Sequence, residues 1–388
     1  MKKENSNKYN IVLAVLMILF LLAVFKVNPS RAVIQGPCSD CHTMHNSQGS
    51  SPLNFDPGDL TPNEYLLRGT CLGCHGMNTG SPTYDLNTDK IPQVYHTGTD
   101  LSAGNFIYIT ISGSNRGHNI INLGIDESPF MYPPPGIISP AGARHDIFWN
   151  SHRLSCVSSD ENGTAGCHGI RLWDDSFPEG VTGAHHNNVT GSLATADTVG
   201  NSYRFLMGVK GYESEDWEQN PSSSNHNEYF GVTTPTRLGC GGAGVNNCHV
   251  AGSGSGGMLV PPDGTMSQFC ASCHGNFHTL GTNDYDGIGP EATSPFIRHP
   301  TDLALPDEGE YAAYTEYSVQ APVARTGAVP PGSGSGINHG INGDAVMCLS
   351  CHRAHASPFP DMLRWDYNEM VAGGGGSGGC FTCHSNKN

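Results

Sequence analysis

The residues with the clearest chemical potential are cysteine pairs that are each followed directly by a histidine. The first is Cys38-Ser-Asp-Cys41-His42. This pattern attaches c-type haem: each thiol adds to one vinyl group, and the adjacent imidazole binds the iron as proximal ligand. Five copies occur, with cysteines Cys38/Cys41, Cys71/Cys74, Cys270/Cys273, Cys348/Cys351 and Cys380/Cys383, followed by His42, His75, His274, His352 and His384.

Other cysteine chemistries fit these five motifs less well. Zinc sites also use Cys-x-x-Cys pairs, but they need a second pair close by and no histidine directly after each one. Iron–sulfur clusters require four cysteines in tighter groups. A disulfide network suits a secreted chain but leaves the repeated histidines unexplained. The five motifs therefore predict haem.

The four remaining cysteines form two pairs with wider spacing. Two structural disulfides are one interpretation of them. The histidine after the second cysteine of each pair favours haem, because only the two sulfurs and the imidazole need to converge. The inserts between the cysteines are rich in Gly, Ser and Asn, as expected of loops. Seven pairs would use all 14 cysteines, which predicts seven haems. The wide pairs are Cys156/Cys167 with His168 and Cys240/Cys248 with His249.

The supply of histidine predicts two imidazole ligands for each iron. The chain has 19 histidines, so twelve remain once seven serve as proximal ligands. A surface role for any one of them, or methionine as the sixth ligand, are the alternatives. The expected distal ligands are His45, His96, His118, His278, His299, His339 and His355, with His145 and His152 in reserve.

Three of these distal candidates lie three or four residues after a proximal histidine: His45, His278 and His355. That spacing places both side chains on one face of a helical turn. The haem already covers this face, so none of the three can reach the far side of its own iron. We expect each to ligate a different haem and so to tie neighbouring haems together.

Composition indicates what must surround these sites. The chain has 50 glycines, 26 prolines and only 37% hydrophobic residues, so its side chains alone can bury little apolar surface. Covalent haems would supply the missing core. The predicted fold is a multihaem c-type cytochrome of mostly irregular coil, with short helices and a small hairpin wrapped round a continuous haem stack.

Regular elements are expected at a few places only. A capping box at Thr61–Glu64 predicts a short helix leading into Cys71. The run Phe106–Ile111 has the composition of a strand, and Asp361–Val371 could form a helix. Glycine- and serine-rich stretches predict flexible connectors at Gly252–Gly257, Gly332–Gly336 and Gly373–Gly379.

The N-terminus and the net charge indicate where the protein works. Lysines precede an apolar run, Ile11–Phe25, and small residues follow it. This pattern predicts a secretory signal peptide over 1–32, cut after Ala32, with an uncleaved inner-membrane anchor as the alternative. The rest, 33–388, is expected to form a single seven-haem domain that contacts a membrane only through the signal segment. A net charge of −16 argues against a nucleic-acid partner.

Several runs resemble one known family. The run Cys-His-Thr-Met-His-Asn-Ser after the first motif, Gly117-His118-Asn119, Arg298-His299-Pro300 and the run from Cys348 to Ser357 are similar to the OmcS-like extracellular multihaem c-type cytochromes of metal-reducing bacteria. Members of that family polymerise into nanowire filaments. The resemblance covers both ends of the chain well and 156–248 poorly.

The motifs together predict long-range electron transfer and no catalytic residues. The resemblance implies a secreted or cell-surface filament of identical subunits that exchanges electrons with redox proteins and extracellular acceptors. It also implies that His45 ligates a haem of the adjacent protomer, at Cys348/Cys351. A monomeric periplasmic or cell-surface shuttle is the first alternative. A multihaem reductase is the second, and it would need an iron with an open position.

Overall fold

The computed structural model describes a chain in which loops predominate and regular elements are short. The description covers 37–46, 62, 66–67, 71–76, 81–86, 89–98, 100–125, 153–157, 164–168, 206, 209–214, 216–233, 238–239, 246–247, 264–271, 273–274, 277 and 299–387. Within these residues the α-helices are α1 Cys38–Cys41, α2 Leu72–His75, α3 Ile107–Ser112, α4 Met266–Ala271 and α5 Cys348–Cys351. The expected fold class, mostly coil with short helices and a small hairpin, is confirmed.

The strands form one small sheet and three two-stranded pairs. β1 and β2 make the hairpin, and the five-stranded sheet has the order β5-β6-β10-β11-β9. Within that sheet β6 and β10 are parallel and the other neighbours are antiparallel. The strands are β1 Thr83–Leu86, β2 Asp89–Pro92, β3 Arg153–Ser155, β4 Thr164–Gly166, β5 Gly211–Tyr212, β6 Glu228–Phe230, β7 Leu238–Gly239, β8 Asn246–Asn247, β9 Leu303–Ala304, β10 Ala324–Arg325 and β11 Ala345–Val346.

A buried ion-pair network holds this sheet together. The guanidinium of Arg325 donates to both oxygens of Glu228, at 2.7 and 3.2 Å, and also to Asp344. His226 lies 3.2 Å from the Glu228 carboxylate and stacks on the ring of Tyr317. Burial acts to raise the pKa of Glu228, but hydrogen bonds from His226 and Arg325 outweigh it and the pKa is lowered. Charge pairing thus fixes β6, β10 and β11 together, directly before the haem motif in α5.

The apolar core consists of small clusters instead of one continuous interior. One contains Val209, Tyr229 and Met266, with Cys167 packed against it. A second contains Phe106 and Ile120 and packs on Cys156, and a third packs on Cys383. Each cluster therefore meets a cysteine of a haem motif, as expected if haem supplies much of the core.

The predicted strand at Phe106–Ile111 is wrong, since these residues lead into and form helix α3. The side chain of Asn105 accepts a hydrogen bond from the Ile107 amide at 3.1 Å and starts the turn. Helical spacing then places Phe106 and Ile109 in one buried cluster. Packing on one face overrides the β-propensity of the sequence.

The predicted helix at Asp361–Val371 is also wrong. The segment contains only 3₁₀ turns at Pro360–Met362 and Tyr367–Glu369, and φ is positive at Asp361 and Met362. Its backbone instead pairs with the neighbouring haem motif, where Arg364 donates to the Cys351 carbonyl at 2.8 Å. A long-range pairing that local sequence cannot reveal replaces the helix.

The Gly332–Gly336 stretch is not a free connector either. The carbonyl oxygens of Gly334 and Gly336 accept hydrogen bonds from Arg325, and the Gly334 amide donates to Glu228. This stretch therefore supplies backbone ligands to the buried ion pair. Gly373–Gly379 forms turns, with positive φ at Gly373, Gly375 and Gly379.

Several expectations fall outside the described residues. They are the signal segment 1–32, most of the helix expected after Thr61, the connector Gly252–Gly257, the site residues Cys240, Cys248, His249 and His278, and the reserve ligands His145 and His152. Among the helices that the structure does describe, none combines the length and apolarity that crossing a membrane requires.

Candidate haem-binding site

Each described haem motif shares one backbone hydrogen bond. The amide of the histidine donates to the carbonyl of the first cysteine, over 2.8–3.1 Å, in all six motifs where both residues are described. In the Cys71 motif this bond is 3.0 Å, and the Cys74 amide lies 3.3 Å from the same oxygen. In this motif one helical turn thus brings Cys71, Cys74 and His75 to one side of the backbone. The six histidines are His42, His75, His168, His274, His352 and His384.

The wide Cys156/Cys167 pair reaches the same arrangement by a different route. Strands β3 and β4 are parallel, with Leu154 opposite Ala165 and Ser155 opposite Gly166. The next residues are the two cysteines. The His168 amide donates to the Cys156 carbonyl at 2.9 Å and the Cys167 amide does so at 3.2 Å. The ladder therefore brings together the groups that the sequence holds apart.

Side-chain contacts fix the two kinds of site against their surroundings. The amide of Gln93 donates to the Cys74 carbonyl at 3.1 Å. The side chain of Asn122 accepts from the Cys156 amide at 3.2 Å and from the Ser155 hydroxyl at 2.9 Å. A hydrogen bond between the thiols of Cys71 and Cys156 lowers the pKa of Cys71. A short-spaced and a long-spaced motif therefore lie side by side.

Backbone carbonyls orient the imidazoles. The Nδ1 atoms of His75 and His352 lie 2.8 Å from the carbonyl oxygens of Pro92 and Asp361. Among the distal candidates, Nδ1 of His118 lies 2.8 Å from the Ala354 carbonyl. His42 and His299 have the same kind of partner, at 3.1 and 2.9 Å. An Nδ1–H donated to a carbonyl selects the tautomer in which Nε2 carries the lone pair that can bind a metal.

Three pairs of imidazoles face each other at nearly the same separation. Each pair joins one motif histidine to one histidine outside the motifs. The ring centroids are 6.3 Å apart for His118–His274, 6.1 Å for His168–His355 and 6.1 Å for His299–His384. All six residues belong to the ligand set expected from the sequence.

This separation fits a six-coordinate iron between the rings. Two trans imidazoles hold their centroids roughly 6 Å apart, since each metal–nitrogen bond is about 2 Å and each ring adds roughly 1 Å to its centre. The residues present therefore fit haem at these three positions.

Burial keeps these imidazoles in the form that binds metal. It lowers the pKa of His118 to about 4, with a further contribution from His274. Burial also lowers the pKa of His75, His299 and His352. A metal ligand must be neutral imidazole, so these sites are ready to coordinate at neutral pH.

Other distal candidates have different surroundings. His45 is exposed at the N-terminal end of the described chain. His96 is buried, with Nε2 lacking a hydrogen-bond partner, and its Nδ1 accepts from the Gly98 amide at 3.0 Å. Binding iron through Nε2 would thus require loss of the Nε2 proton or a turn of the ring. Nε2 of His339 lies 3.1 Å from the Tyr311 carbonyl.

Sequence reasoning missed the partners that orient the ligands. The carboxylate of Glu310 lies 3.1 Å from Nδ1 of His384, and a carboxylate in this position raises the basicity of a ligating imidazole. The two residues are far apart in the sequence, so no local pattern could identify Glu310. The pairing of each motif histidine with its distal partner was hidden for the same reason.

Comparisons with known proteins agree with the motifs. The doubled CXXCH motif family matches residues 339–388. The chain is similar to the C-type cytochrome OmcS of Geobacter sulfurreducens, with 26% identity over 383 residues that cover 85% of this chain and 78% of the relative. The predicted resemblance to OmcS-like cytochromes is confirmed, and with it the expectation of haem c.

Two solved structures are similar over most of the chain. One is the cryo-EM structure of the OmcS nanowires from Geobacter sulfurreducens, which is 20% identical, has a TM-score of 0.38 and covers 84% of this chain and 83% of that one. The other is the outer membrane cytochrome S filament from the same organism, with 17% identity, a TM-score of 0.36, and coverage of 87% and 85%.

Proposed function

We propose that this chain is a secreted multihaem cytochrome that transfers electrons over long distances as the subunit of an extracellular filament. The observation that carries the proposal is the set of three imidazole pairs separated by 6.1–6.3 Å. Haem c supplies a reversible one-electron iron couple when it is bound. The similarity to OmcS supports the filament and the extracellular location.

The chain's own residues would hold each haem and set its ligands. Two cysteine thiols would attach the haem covalently, and the motif histidine and a distal histidine would supply its two imidazole ligands. We assign His118 opposite His274, His355 opposite His168, and His299 opposite His384. Backbone carbonyls would hold the rings of His118 and His299 in the ligating tautomer, and the Glu310 carboxylate lies beside Nδ1 of His384. The cysteines are Cys38, Cys41, Cys71, Cys74, Cys156, Cys167, Cys240, Cys248, Cys270, Cys273, Cys348, Cys351, Cys380 and Cys383.

We propose seven haems in a single domain over 33–388, after removal of the signal segment 1–32. The parallel register at Cys156/Cys167 supports the sixth site. For the seventh, β7 and β8 pair Leu238 with Asn246 and Gly239 with Asn247, in the same parallel sense. In the sequence these two strands directly precede Cys240 and Cys248. Intact-mass measurement decides the count, and an increment of five haems would exclude both wide sites.

Ligation of every iron by two histidines makes the protein a carrier and not an enzyme. The reduced protein should then bind carbon monoxide poorly, because no iron has an open position. Stoichiometric binding to even one haem of the wild-type protein would favour a multihaem reductase instead. His45, His96, His278 and His339 complete the proposed distal set for His42, His75, His249 and His352.

The first motif supplies the proposed contact between subunits. Among the haem cysteines whose side chains the structure describes, Cys38 is exposed whereas the others are partly buried. His45 is exposed, and Met44 and Leu66 expose 63% and 50% of their surface beside it. We propose that this face docks on a second copy of the chain, where His45 ligates the haem at Cys348/Cys351.

Substitution at His45 tests the filament. His45→Ala should leave each protomer folded with all its haems but stop polymerisation, because the coordination bond between subunits is lost. Ile111→Ala is the control, since it removes an exposed apolar side chain outside the docking face and keeps the His45 imidazole. Electron microscopy of material sheared from cells gives the readout. Normal filaments from the His45→Ala protein would refute the docking, and monomers from the wild type would favour a shuttle.

A further inference from the structure

Two of the assigned distal ligands sit on one short backbone pairing. Gly117 forms an antiparallel bridge with Ala356. The His118 amide donates to the His355 carbonyl at 3.0 Å, and the Ser357 amide donates to the Arg116 carbonyl at 2.9 Å. We call residues 116–118 and 355–357 the ligand clasp. It carries one distal histidine on each side.

The two histidines of the clasp face different haem motifs. The ring of His118 lies opposite His274, and that of His355 lies opposite His168. The His118 side chain also contacts the opposite strand of the clasp, because its Nδ1 lies 2.8 Å from the carbonyl of Ala354, the residue before His355. A shift of either side would therefore change the distance between imidazoles at two irons.

Close approach of the two backbones depends on a missing side chain. A Cβ atom on Gly117 would lie 2.5 Å from the Cβ of Ala356 and 2.6 Å from the His355 carbonyl oxygen. Its backbone is fully extended, with φ −174° and ψ −175°, a conformation that any residue adopts. Glycine is thus needed for space and not for its conformational freedom.

The residues on the other side of the clasp are closely packed and cannot move away from Gly117. Ala356 is fully buried. A Cβ on Gly104 would lie 2.1 Å from the Ala356 carbonyl oxygen, and the His355 amide donates to the Ala103 carbonyl at 2.8 Å. The segment His355–Ala356 is therefore held between Gly104 and Gly117, and an added atom on Gly117 must push the two ligand-bearing strands apart.

We propose that Gly117 is a positioning residue that sets the axial ligation of two haems at once, those attached at Cys156/Cys167 and at Cys270/Cys273. The inference rests on the proposed ligand assignment. Covalent attachment does not involve the clasp, so the haem count should be independent of Gly117. Ligation at the two irons should instead change together.

Carbon monoxide binding to the reduced protein tests this. Gly117→Ala should bind about two carbon monoxide molecules per chain, against nearly none for the wild type, with an unchanged intact mass apart from the substitution. Gly327→Ala is the matched control, because a Cβ there meets nothing within 4 Å, and it should behave as wild type. His118→Ala and His355→Ala should each leave one iron without its distal ligand. Each variant should therefore bind one carbon monoxide molecule per chain, and such a haem is called open below.

The outcomes separate this inference from the function it rests on. If the two histidine variants open one haem each but Gly117→Ala opens none, the positioning role is wrong and the ligand assignment stands. If neither histidine variant opens a haem, the assignment itself fails. Should Gly117→Ala not accumulate, Arg116→Ala removes the contact of its guanidinium with the Pro358 carbonyl and loosens the clasp without adding atoms. It should open both haems partially and in equal proportion, and opening of only one would overturn the proposal.

Discussion

The short-spaced Cys71/Cys74 site and the long-spaced Cys156/Cys167 site present the same groups from different backbones. In the first, one helical turn brings the histidine amide to 3.0 Å from the first cysteine's carbonyl. In the second, a parallel ladder brings the equivalent amide to 2.9 Å across a ten-residue insert. The comparison shows that the same three groups converge at two different sequence spacings.

The difference lies in what stabilises each site. A helical turn is local, so Cys71, Cys74 and His75 are positioned by bonds within five residues. Parallel strands need a connection that passes outside the pair, and their hydrogen bonds must be stabilised by packing. In the long-spaced site that packing comes from Asn122 and from the cluster around Phe106.

The largest expected effect comes from inserting two residues between the two cysteines of each site. Two glycines inserted after Gly73 should remove one haem, because the second thiol and the imidazole leave the turn. Two glycines inserted after Asn162 should leave the haem count unchanged, since lengthening the connection between β3 and β4 by two residues costs well under about 1 kcal/mol. Intact mass gives the count. Loss of a haem from the Asn162 insertion would show that the ladder tolerates no extra length.

Removing one sulfur tests the long-spaced site directly. Cys156→Ser should leave one haem held by Cys167 through a single thioether, or a free Cys167 thiol if attachment fails. Cys71→Ser is the matched change at the short-spaced site. Peptide mass spectrometry locates the linkages. A Cys156–Cys167 disulfide in wild-type peptides would mean that this pair binds no haem.

The sheet beside α5 should respond to acid while the β3–β4 ladder does not. Because the pKa of Glu228 is lowered in the folded protein, its stabilising contribution is present above about pH 4.5 and is lost as the pH falls through the folded pKa. Burial raises the pKa of Asp344. This carboxyl therefore stabilises the folded protein more at low pH than at neutral pH, opposite to Glu228.

Comparing wild type with Glu228→Gln isolates the contribution of Glu228. The variant should lose about 3 kcal/mol at pH 7, because Arg325 keeps one buried carboxylate in place of two, and most of that difference should disappear at low pH. Hydrogen exchange at Ala345–Val346 and at Arg153–Ser155 gives the readout. Equal changes in amide protection in the five-stranded sheet and in the β3–β4 ladder would show that the two regions are not stabilised separately.

The smallest expected effect comes from removing the side chains that hydrogen-bond to the backbone of each site. Asn122→Ala removes the acceptor of the Cys156 amide and should cost about 1 kcal/mol, raising exchange of that amide roughly fivefold. Gln93→Ala is the matched change and should affect the region of Cys74 instead. Both variants should keep all haems. If Asn122→Ala leaves exchange at Cys156 unchanged, packing alone holds the ladder.

The sequence alone was enough to identify the attachment chemistry, since each short motif is closed by bonds within five residues. It also predicted the low content of regular structure, because a chain with 50 glycines and 26 prolines has few segments that can form long helices. The six histidines that face each other in pairs were all among the expected ligands. Individual elements were less predictable, as Ile107–Ser112 and Pro360–Met362 illustrate.

Only the tertiary structure decided which groups meet. Nothing in the sequence near His118 indicates His274, and nothing near His384 indicates Glu310, because the partners of each pair are far apart in the sequence and meet only in the folded chain. The same holds for Gly117. Its sequence context is that of an ordinary loop glycine, and only the structure shows that it packs against Ala356. Residue type determines what a group can bind, whereas long-range contacts determine which groups come close enough to act together.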